Sequence, residues 1–480
     1  MLETLILNPK NILMYTDFAL PLCIIVALLI VIKSNNVSIK KYFDFKKKIK
    51  DVEKTNKNNE RIIKKMEKNR NKTSEYTLIG HSGVGEVYSA DDMKHCFICG
   101  TTGSGKTVAI SNYINSAVKR GYPLLLVDGK GDMSDGSMLD ITTRLHEKAN
   151  KKLYVINLSE STLSDKYNPF KNASPTVAKD MLINLTDWSE EHYKLNVERY
   201  LQKLIMLLNV ANITLSLKVI IKYMSTVKFL ELSALLYKEE RIDKEEHIEN
   251  IEIAETSGKI ASNSIARFST IVESEFGHIF SDDGIDIATA MEENATILFI
   301  LNPLIYPELS PLLGRLILID SKKAISKAFY NKENRRTFFI FDEINVYASK
   351  PLIDLVNKSR SANVTCILAT QSLSDLTTAE NESFKEQVIE NCNNYIVLRQ
   401  NSSVNAENWA NILGTDKTVE ITHQLQQKGQ SASVTGTGSL KFVREFLYHP
   451  DDIKTLSTGN GIFLSRDTNI HTRVSIYKPF

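Results

Sequence analysis

The sequence predicts an α/β fold built on a mostly parallel central sheet, and three observations lead to that class. Short apolar runs that resemble buried strands alternate with stretches of helical periodicity. A glycine-rich loop, Gly100–Thr107, connects one such strand to a helix. Another apolar run, Thr337–Phe341, ends in the two carboxylates of Asp342 and Glu343. This combination indicates a nucleotide-binding domain.

The size and charge of the chain limit what kind of protein it is. Its 480 residues exceed one average domain, and 42% hydrophobic with 24% charged residues is ordinary for a folded protein. The net charge of +2 conceals an asymmetry, because residues 33–72 carry +10, residues 1–32 carry −1 and the remainder carries −7. An acidic body excludes general binding to nucleic acid, so any such contact requires a local basic patch or channel lining.

The five cysteines, at positions 23, 96, 99, 366 and 392, form neither a disulfide framework nor a zinc-binding pattern. The Cys96–Cys99 pair has the spacing of a redox motif, but it lies in a predicted strand, where residues three apart point to opposite faces. We therefore interpret both as small buried residues and expect a reducing, intracellular environment for the body.

The glycine-rich loop fits the phosphate-binding pattern G-x-x-x-x-G-K-[ST] between a strand and a helix. Glycines allow a tight turn whose backbone N–H groups face phosphate oxygens, and the helix N-terminus favours negative charge. Lys106 is expected to reach the β- and γ-phosphates of ATP, and the Thr107 hydroxyl to bind Mg²⁺. The predicted nucleotide-binding residues are Gly100, Thr101, Thr102, Gly103, Ser104, Gly105, Lys106 and Thr107.

The acidic strand end supplies the second half of the predicted site. In P-loop NTPases a strand that ends in Asp holds the Mg²⁺ shell, and we assign Asp342 to that position. Glu343, at the tip of the strand, can polarise the attacking water as a general base. A plain acidic surface pair is the alternative, but the loop upstream favours the catalytic interpretation.

A further strand, Val364–Ala369, leads to Thr370 and Gln371. An amide at the tip of the strand next to the acidic one suits a γ-phosphate sensor, although a turn-capping residue would look the same in sequence. Arg360, which precedes this strand, is either an arginine finger supplied to a neighbouring subunit or an ordinary surface arginine. The predicted catalytic residues are therefore Glu343, Lys106, Gln371 and Arg360.

Near the N-terminus, Phe18–Ile32 is an uncharged apolar run of 15 residues, short of the roughly 20 that a spanning helix needs. Residues 12–16 can extend it if Asp17 lies at the membrane interface. A signal peptide would carry positive charge before the run, and a buried soluble helix is the remaining alternative. Lysines after the run place the body in the cytoplasm, so we expect a single-pass protein of the cell membrane.

Taken together, these motifs resemble a known family. The loop and its strand look like the P-loop of the FtsK/HerA superfamily of DNA-pumping ATPases, and five further motifs are similar to those of conjugative (type IV) coupling proteins of the TraG/TraD kind. In chain order, these motifs are Val127–Asp132, Tyr167–Phe170, Arg360–Ser361 followed by Ala369–Ser372, Leu413–Thr415 and Tyr448–Ile453. The resemblance covers roughly residues 76–480.

The resemblance implies a RecA-like P-loop NTPase that binds ATP and Mg²⁺ and assembles into a homo-hexameric ring. It implies DNA, single-stranded and bound to a relaxase, in the central channel, and it implies secretion-channel proteins and the membrane as further partners. Two departures affect how such a protein would dock to a secretion channel. One apolar run is visible where coupling proteins often have two membrane helices, and position 129 is Gly where many members have Pro.

The predicted domain organisation follows from the motifs and from changes in apolar periodicity and composition along the chain. Period-3.6 apolar spacing without strand signals indicates an inserted all-α domain, and the resemblance implies that this domain faces the substrate. Residues 424–440, rich in Gln, Ser, Thr and Gly, suggest a mobile loop, either at the surface or in a DNA-facing pore. The predicted units are a membrane anchor at 1–35, a basic juxtamembrane linker at 36–75, a RecA-like motor domain at 76–171 and 286–480, and the all-α domain at 172–285.

The sequence thus predicts a membrane-anchored ring ATPase that transports DNA or a relaxase–DNA complex in conjugative transfer. A chromosomal DNA translocase of the FtsK type is an alternative, but we expect no C-terminal reader domain after the last strand-like stretch. A secretion-channel ATPase that does not bind DNA is a second alternative. A membrane adaptor that binds nucleotide without turnover is a third, against which Lys106, Asp342 and Glu343 argue.

Overall fold

The computed structural model describes residues 59–66 and 75–480, with gaps at 186, 189, 333–334, 378–382 and 429–430, and isolated residues 25, 26, 33, 47 and 68. Nearly all of the predicted membrane anchor and most of the predicted linker lie outside these residues. In the part of the chain that is described, no helix is both long enough and apolar enough to span a membrane. The chain divides into two compact units, one of residues 62–414 and 446–480, the other containing residues 415–445.

The first unit contains a sheet of 11 described strands. Their bounds are β1 Tyr76–Ser82, β2 Gly85–Ala90, β3 Cys96–Cys99, β4 Leu124–Asp128, β5 Leu153–Asn157, β6 Thr296–Ile300, β7 Thr337–Asp342, β8 Val364–Thr370, β9 Asn394–Val397, β12 Asn460–Ser465 and β13 Ile470–Ile476. Across the sheet the order is β2-β1-β13-β12-β9-β3-β8-β7-β4-β6-β5. The seven strands from β9 to β5 pair in parallel, and the other four are antiparallel. The predicted mostly parallel α/β sheet is confirmed.

Helices cover both faces of this sheet. Their bounds are α1 Lys106–Arg120, α2 Met138–Ala149, α3 Pro175–Ile183, α4 Glu191–Val210, α5 Leu217–Met224, α6 Thr226–Lys238, α7 Lys244–Val272, α8 Ile287–Glu292, α9 Leu309–Tyr330, α10 Lys350–Ser359, α11 Phe384–Asn391, α12 Ser403–Leu413 and α13 Pro450–Lys454. Residues of α1 and α2 belong to one apolar core, and residues of α3–α12 belong to the other. Cys96 lies in the first core and Cys99 in the second, so the two thiols are on opposite faces, as the strand periodicity predicts.

The chain between β5 and β6 is helical, as its period-3.6 pattern predicts. Helices α3 to α7 occupy most of residues 172–285 and share an apolar core with one face of the sheet. The segment therefore belongs to the same compact unit as the sheet. The Tyr167–Phe170 motif lies at its start, and the Asn168 side chain donates hydrogen bonds to the carbonyls of Leu215 (2.9 Å) and Asp282 (3.3 Å).

The second unit differs from its prediction. Most of residues 424–440, expected as a mobile loop, lie in two long strands, β10 (Thr415–Lys428) and β11 (Ser431–Phe446), which form a two-stranded sheet. The prediction of loop structure was wrong because it weighed polar composition over strand propensity. Val434, Thr435 and Thr437 are β-branched residues, which favour extended backbone.

Candidate functional site

The carboxyl ends of the parallel strands meet at one edge of the sheet, and the glycine-rich loop lies there between β3 and α1. Gly103 and Gly105 have φ values of +74° and +112°, a region that side-chain-bearing residues rarely adopt. A Cβ at Gly100 would lie 2.5 Å from the Leu398 Cβ, so this position also requires glycine. The predicted strand, loop and helix are therefore present, and we call this edge the nucleotide edge.

Lys106 and Glu343 form a buried ion pair at this edge. The Lys106 Nζ lies 3.2 Å from the Glu343 Oε1 and donates a hydrogen bond to the Gly100 carbonyl at 3.1 Å. Glu343 follows β7 with a left-handed backbone, φ +49°, which costs a side-chain-bearing residue roughly 1 kcal/mol or more. Strained backbone of this kind concentrates at functional sites.

Gln371 joins the glycine-rich loop to the acidic strand end. Its Nε2 donates to the Glu343 Oε1 at 3.2 Å, and its Oε1 accepts from the Thr102 hydroxyl at 3.1 Å. This geometry follows from the sheet, because β8, which precedes Gln371, lies between β3 and β7. The structure therefore brings together the loop, the predicted base and the predicted sensor.

Asp342 and Asp128 end adjacent parallel strands, β7 and β4, and pair in register. Burial raises the pKa of Asp342 to about 7, with further contributions from the charges of Asp128 and Glu343. Burial likewise raises the pKa of Asp128 to about 6. From the sequence, Asp128 is identified only as part of a family motif. Its position directly after an apolar run, like that of Asp342, is the signal that could have identified it as a second carboxylate of the site.

The glycines after Asp128 allow its loop to lie against the acidic strand end. A Cβ at Gly129 would stand 2.9 Å from the Asp342 carbonyl oxygen and 3.0 Å from the Glu343 Cβ. Gly131 has φ +71°, and a Cβ there would be 2.3 Å from the Leu301 carbonyl oxygen. The Gly at position 129, a departure from the coupling-protein pattern, therefore fits the close packing of this chain.

A C-terminal loop also contacts the glycine-rich loop, and sequence reasoning missed it. The Thr458 hydroxyl donates to the Gly103 carbonyl at 3.2 Å, and the Gly459 N–H donates to the Ser104 carbonyl at 3.0 Å. Close by is a cavity of about 360 Å³ whose lining includes His81 and Arg473. The paired residues lie more than 350 positions apart in the sequence, so no local sequence pattern predicts these contacts.

Arg360 does not join the site within one chain. It is exposed and lies in a short helical turn directly before β8, whereas Gln371 lies directly after that strand. A seven-residue strand is about 20 Å long, so Arg360 is at the opposite edge of the sheet from the glycine-rich loop.

Several buried polar atoms at the nucleotide edge have no hydrogen-bond partner among the described residues: the Thr101 and Ser104 hydroxyls and the Glu343 Oε2. Buried polar atoms are nearly always paired in folded proteins, so this cluster fits a polar ligand. The described ranges contain no group of three or more His, Cys, Asp or Glu residues arranged for a metal. Mg²⁺ at phosphate sites needs only one or two protein ligands, so the prediction that Thr107 and Asp342 hold Mg²⁺ does not require such a group.

Two family models match the chain. The model described as the TraM recognition site of TraD and TraG matches residues 336–458, which include the acidic strand end and Gln371. The model described as the central domain of helicase HerA matches residues 87–276, which include the glycine-rich loop. An uncharacterized protein of Mycoplasma pneumoniae is 34% identical over 119 residues, 25% of this chain and 79% of that protein. The chain belongs to the same family as that protein.

Several solved structures share the fold. The conjugative coupling protein TrwB lacking its N-terminal 70 residues superposes with a TM-score of 0.59 at 15% identity, covering 84% of this chain and 89% of that one. TrwB with ADP and Mg²⁺ gives 0.56 at 15% identity, with the same shares of the two chains covered. VirB4 of Thermoanaerobacter pseudethanolicus gives 0.52 at 13% identity, covering 84% and 97%.

The sheet, the glycine-rich loop and the acidic strand end define the class of protein as a P-loop NTPase. Within this class, the family matches and the shared fold confirm the resemblance drawn from the motifs. The chain is a type IV coupling protein-like P-loop ATPase with a segment similar to the central domain of helicase HerA.

Proposed function

We propose that this protein is a membrane-anchored ring ATPase that couples ATP hydrolysis to the transport of DNA, or of a relaxase–DNA complex, in conjugative transfer. The observation that carries the proposal is the chain of contacts from Thr102 through Gln371 and Glu343 to Lys106. These contacts connect the phosphate-binding loop to Gln371, the predicted γ-phosphate sensor at the end of β8. A motor requires such a connection, because the loss of the γ-phosphate must change contacts elsewhere in the protein.

The loop residues would hold the phosphates of ATP. The backbone N–H groups at the start of α1 and the hydroxyls of Thr101 and Ser104 are available as donors, and Lys106 would exchange Glu343 for phosphate oxygens. Thr107 and Asp342 would hold Mg²⁺, which supplies positive charge that neutralises phosphate oxygens.

Glu343 would act as the general base. Gln371 would still hold its Oε1 after Lys106 moves to the phosphates, whereas its Oε2 has no partner among the described residues and is available to accept a proton from water. Gln371 would position Glu343 and sense the γ-phosphate. Arg360, at the opposite edge of the sheet, would act on the site of a neighbouring subunit in a hexamer.

The membrane anchor is proposed at Phe18–Ile32 on its hydropathy and on the lysines that follow it. The all-α domain at 172–285 is proposed to face the DNA–relaxase substrate. Secretion-channel proteins are the expected partners at the membrane. The match of residues 336–458 to a TraM recognition site supports coupling to a DNA-processing complex over an assembly ATPase that does not bind DNA.

The test is ATP hydrolysis by the full chain in detergent, with and without single-stranded DNA. We expect DNA to raise the rate several-fold. Glu343→Gln should retain ATP binding and lose at least about 100-fold in turnover, whereas Lys106→Ala should weaken both. A rate that DNA leaves unchanged would reject the DNA-transport proposal and favour the secretion-channel ATPase. Wild-type turnover by Glu343→Gln would reject the base assignment.

A further inference from the structure

A short loop on the nucleotide edge presents two apolar side chains to solvent. Leu304 and Ile305 follow β6 and are 91% and 61% exposed. The loop is held firmly, because the Tyr306 N–H donates to the Asn302 carbonyl at 2.8 Å and the Tyr306 hydroxyl to the Glu275 Oε1 at 2.6 Å. We call residues 302–307 the Leu304 loop. Two large apolar side chains on a fixed loop are typical of a contact surface.

A groove with an apolar floor lies between α9 and α10 on one face of the sheet. It consists of two adjoining cavities of about 420 and 370 Å³, which share Lys322, Ser326 and Asp354 in their linings. The apolar lining residues are Val177, Met181, Ile319, Pro351, Ile325, Phe329 and Leu355. At one end of the groove Phe329 is 61% exposed. We call this feature the α9–α10 groove.

The charges around the two features are complementary. The exposed carboxylates of Glu275 and Glu308 flank the Leu304 loop. Five basic residues line the groove, but Arg315, Lys322 and Lys323 are paired with carboxylates of their own chain. Among the described residues, Lys350 and Lys358 form no ion pair, so their charges are available to a partner. Complementary charge of this kind orients a docking surface.

The position of Arg360 indicates what occupies the groove. Ser361 lines the groove and is adjacent to Arg360, whereas the Leu304 loop lies on the same sheet edge as the ATP site, two strands from β7. A second copy that inserted its Leu304 loop into the groove would bring its nucleotide edge to the side of the molecule that carries Arg360. The two surfaces are different, so the contact is heterologous and repeats from copy to copy until a ring closes.

We propose that the Leu304 loop of one copy docks in the α9–α10 groove of the next copy. This inference rests on the proposed ring ATPase and deepens it by assigning the surfaces through which the ring assembles. Leu304 and Ile305 fill the apolar floor, Glu308 meets the lysines of the groove, and the contact delivers Arg360 to the neighbouring ATP site.

Cysteine cross-linking of the full chain tests the contact directly. In a Cys23→Ser background the other four cysteines are buried. Ile305→Cys combined with Ser326→Cys, oxidised with copper phenanthroline, should give a reducible ladder of three or more chains. Each single variant, and Ile305→Cys combined with Lys148→Cys on the other sheet face, should not. Leu304→Ser should weaken self-association at least about tenfold, whereas Val404→Ser, which also removes an exposed apolar side chain, should not.

No ladder, a product that stops at two chains, or an equal ladder from the control pair would overturn the proposed contact. So would equal self-association of Leu304→Ser and the wild type. Hydrolysis by the reduced variants separates this failure from failure of the proposed function. ATPase activity without the ladder rejects the docking and leaves the function, whereas the ladder without any ATPase activity supports the docking and rejects the function.

Discussion

Two clusters of lysine and carboxylates are buried in the sheet unit, and they differ in how their charges are satisfied. The nucleotide-edge cluster contains Lys106, Asp342 and Glu343, and the junction cluster is centred on Lys323 of α9. The Lys106 and Lys323 side chains are only 8% and 12% exposed. Burial therefore does not distinguish the two clusters, and the difference must lie in their contacts.

In the junction cluster the charges are compensated within the chain. The Lys323 Nζ lies 2.9 Å from the Asp286 Oδ2 and 3.0 Å from the Asp320 Oδ1, and donates to the Pro169 carbonyl at 2.7 Å. The Tyr167 hydroxyl donates to the other oxygen of Asp320 at 2.9 Å. Burial opposes the charge of Lys323, but the two carboxylates outweigh it and raise its pKa. The cluster therefore connects the Tyr167–Phe170 motif, which precedes the helical segment, with helix α9.

In the nucleotide-edge cluster the charges are compensated poorly. Lys106 has one carboxylate contact, Glu343, and among the described residues neither Asp342 nor Asp128 forms an ion pair with a lysine or arginine, although both are buried. Carboxylates crowded together without enough positive charge cost stability in the free protein. The comparison teaches that a satisfied buried cluster builds structure, whereas an unsatisfied one is left for a ligand.

We expect the largest loss of stability from a substitution that disrupts the junction cluster. Lys323→Met leaves two buried carboxylates uncompensated and should lower the free energy of unfolding by about 3–5 kcal/mol. Lys322→Met is the matched control, because Lys322 is partly exposed and pairs with Asp354 at the surface. This substitution should cost less than about 1 kcal/mol. Urea unfolding of the nucleotide-free chain measures both. Equal losses would mean that the junction cluster is not structural.

At the nucleotide edge we expect a substitution to raise the stability of the protein and not to lower it. Asp342→Asn should raise the stability of the nucleotide-free chain in EDTA by about 2 kcal/mol at pH 8. A carboxyl whose pKa is raised by folding, here from 3.8 to about 7, loses stability as the pH rises between those values. The gain should therefore fade as the pH falls towards 4.

Denaturation curves at pH 8 and pH 5 measure this effect, and Asp354→Asn, at a surface ion pair, is the control that should change little. A loss of stability in Asp342→Asn, or a gain that does not depend on pH, would contradict the view that the free site is electrostatically strained.

Sequence reasoning could predict the nucleotide edge because parallel strands place their carboxyl ends together. The loop after β3, Glu343 after β7 and Gln371 after β8 were each identified from a local pattern, and the sheet order brings them into contact. Local patterns could not predict contacts between distant segments. Thr458 and Gly459 reach the loop from the C-terminal region, and nothing in their own sequence signals it.

The junction cluster shows the same limit. The Tyr167–Phe170 motif was recognised as a family feature, but its physical role depends on Asp320 and Lys323, which lie more than 150 residues away in an amphipathic helix. Arg360 was predicted either as an arginine finger for a neighbouring subunit or as a surface arginine. The strand between Arg360 and Gln371 separates the two residues within one chain, so the role of Arg360 stays a prediction.

The smallest effects sharpen the comparison by removing one hydroxyl from each cluster. Tyr167→Phe deletes a buried hydrogen bond to the Asp320 carboxylate and should cost about 1.5 kcal/mol of stability. Thr102→Val deletes an exposed hydrogen bond to Gln371 and should cost less than about 0.5 kcal/mol, yet slow ATP hydrolysis by freeing Gln371. Thermal unfolding and ATPase assays on the same preparations separate the two. If Thr102→Val destabilises the protein as much as Tyr167→Phe and leaves turnover unchanged, Gln371 is a structural residue, because its link to the loop then holds the fold and does not serve the reaction.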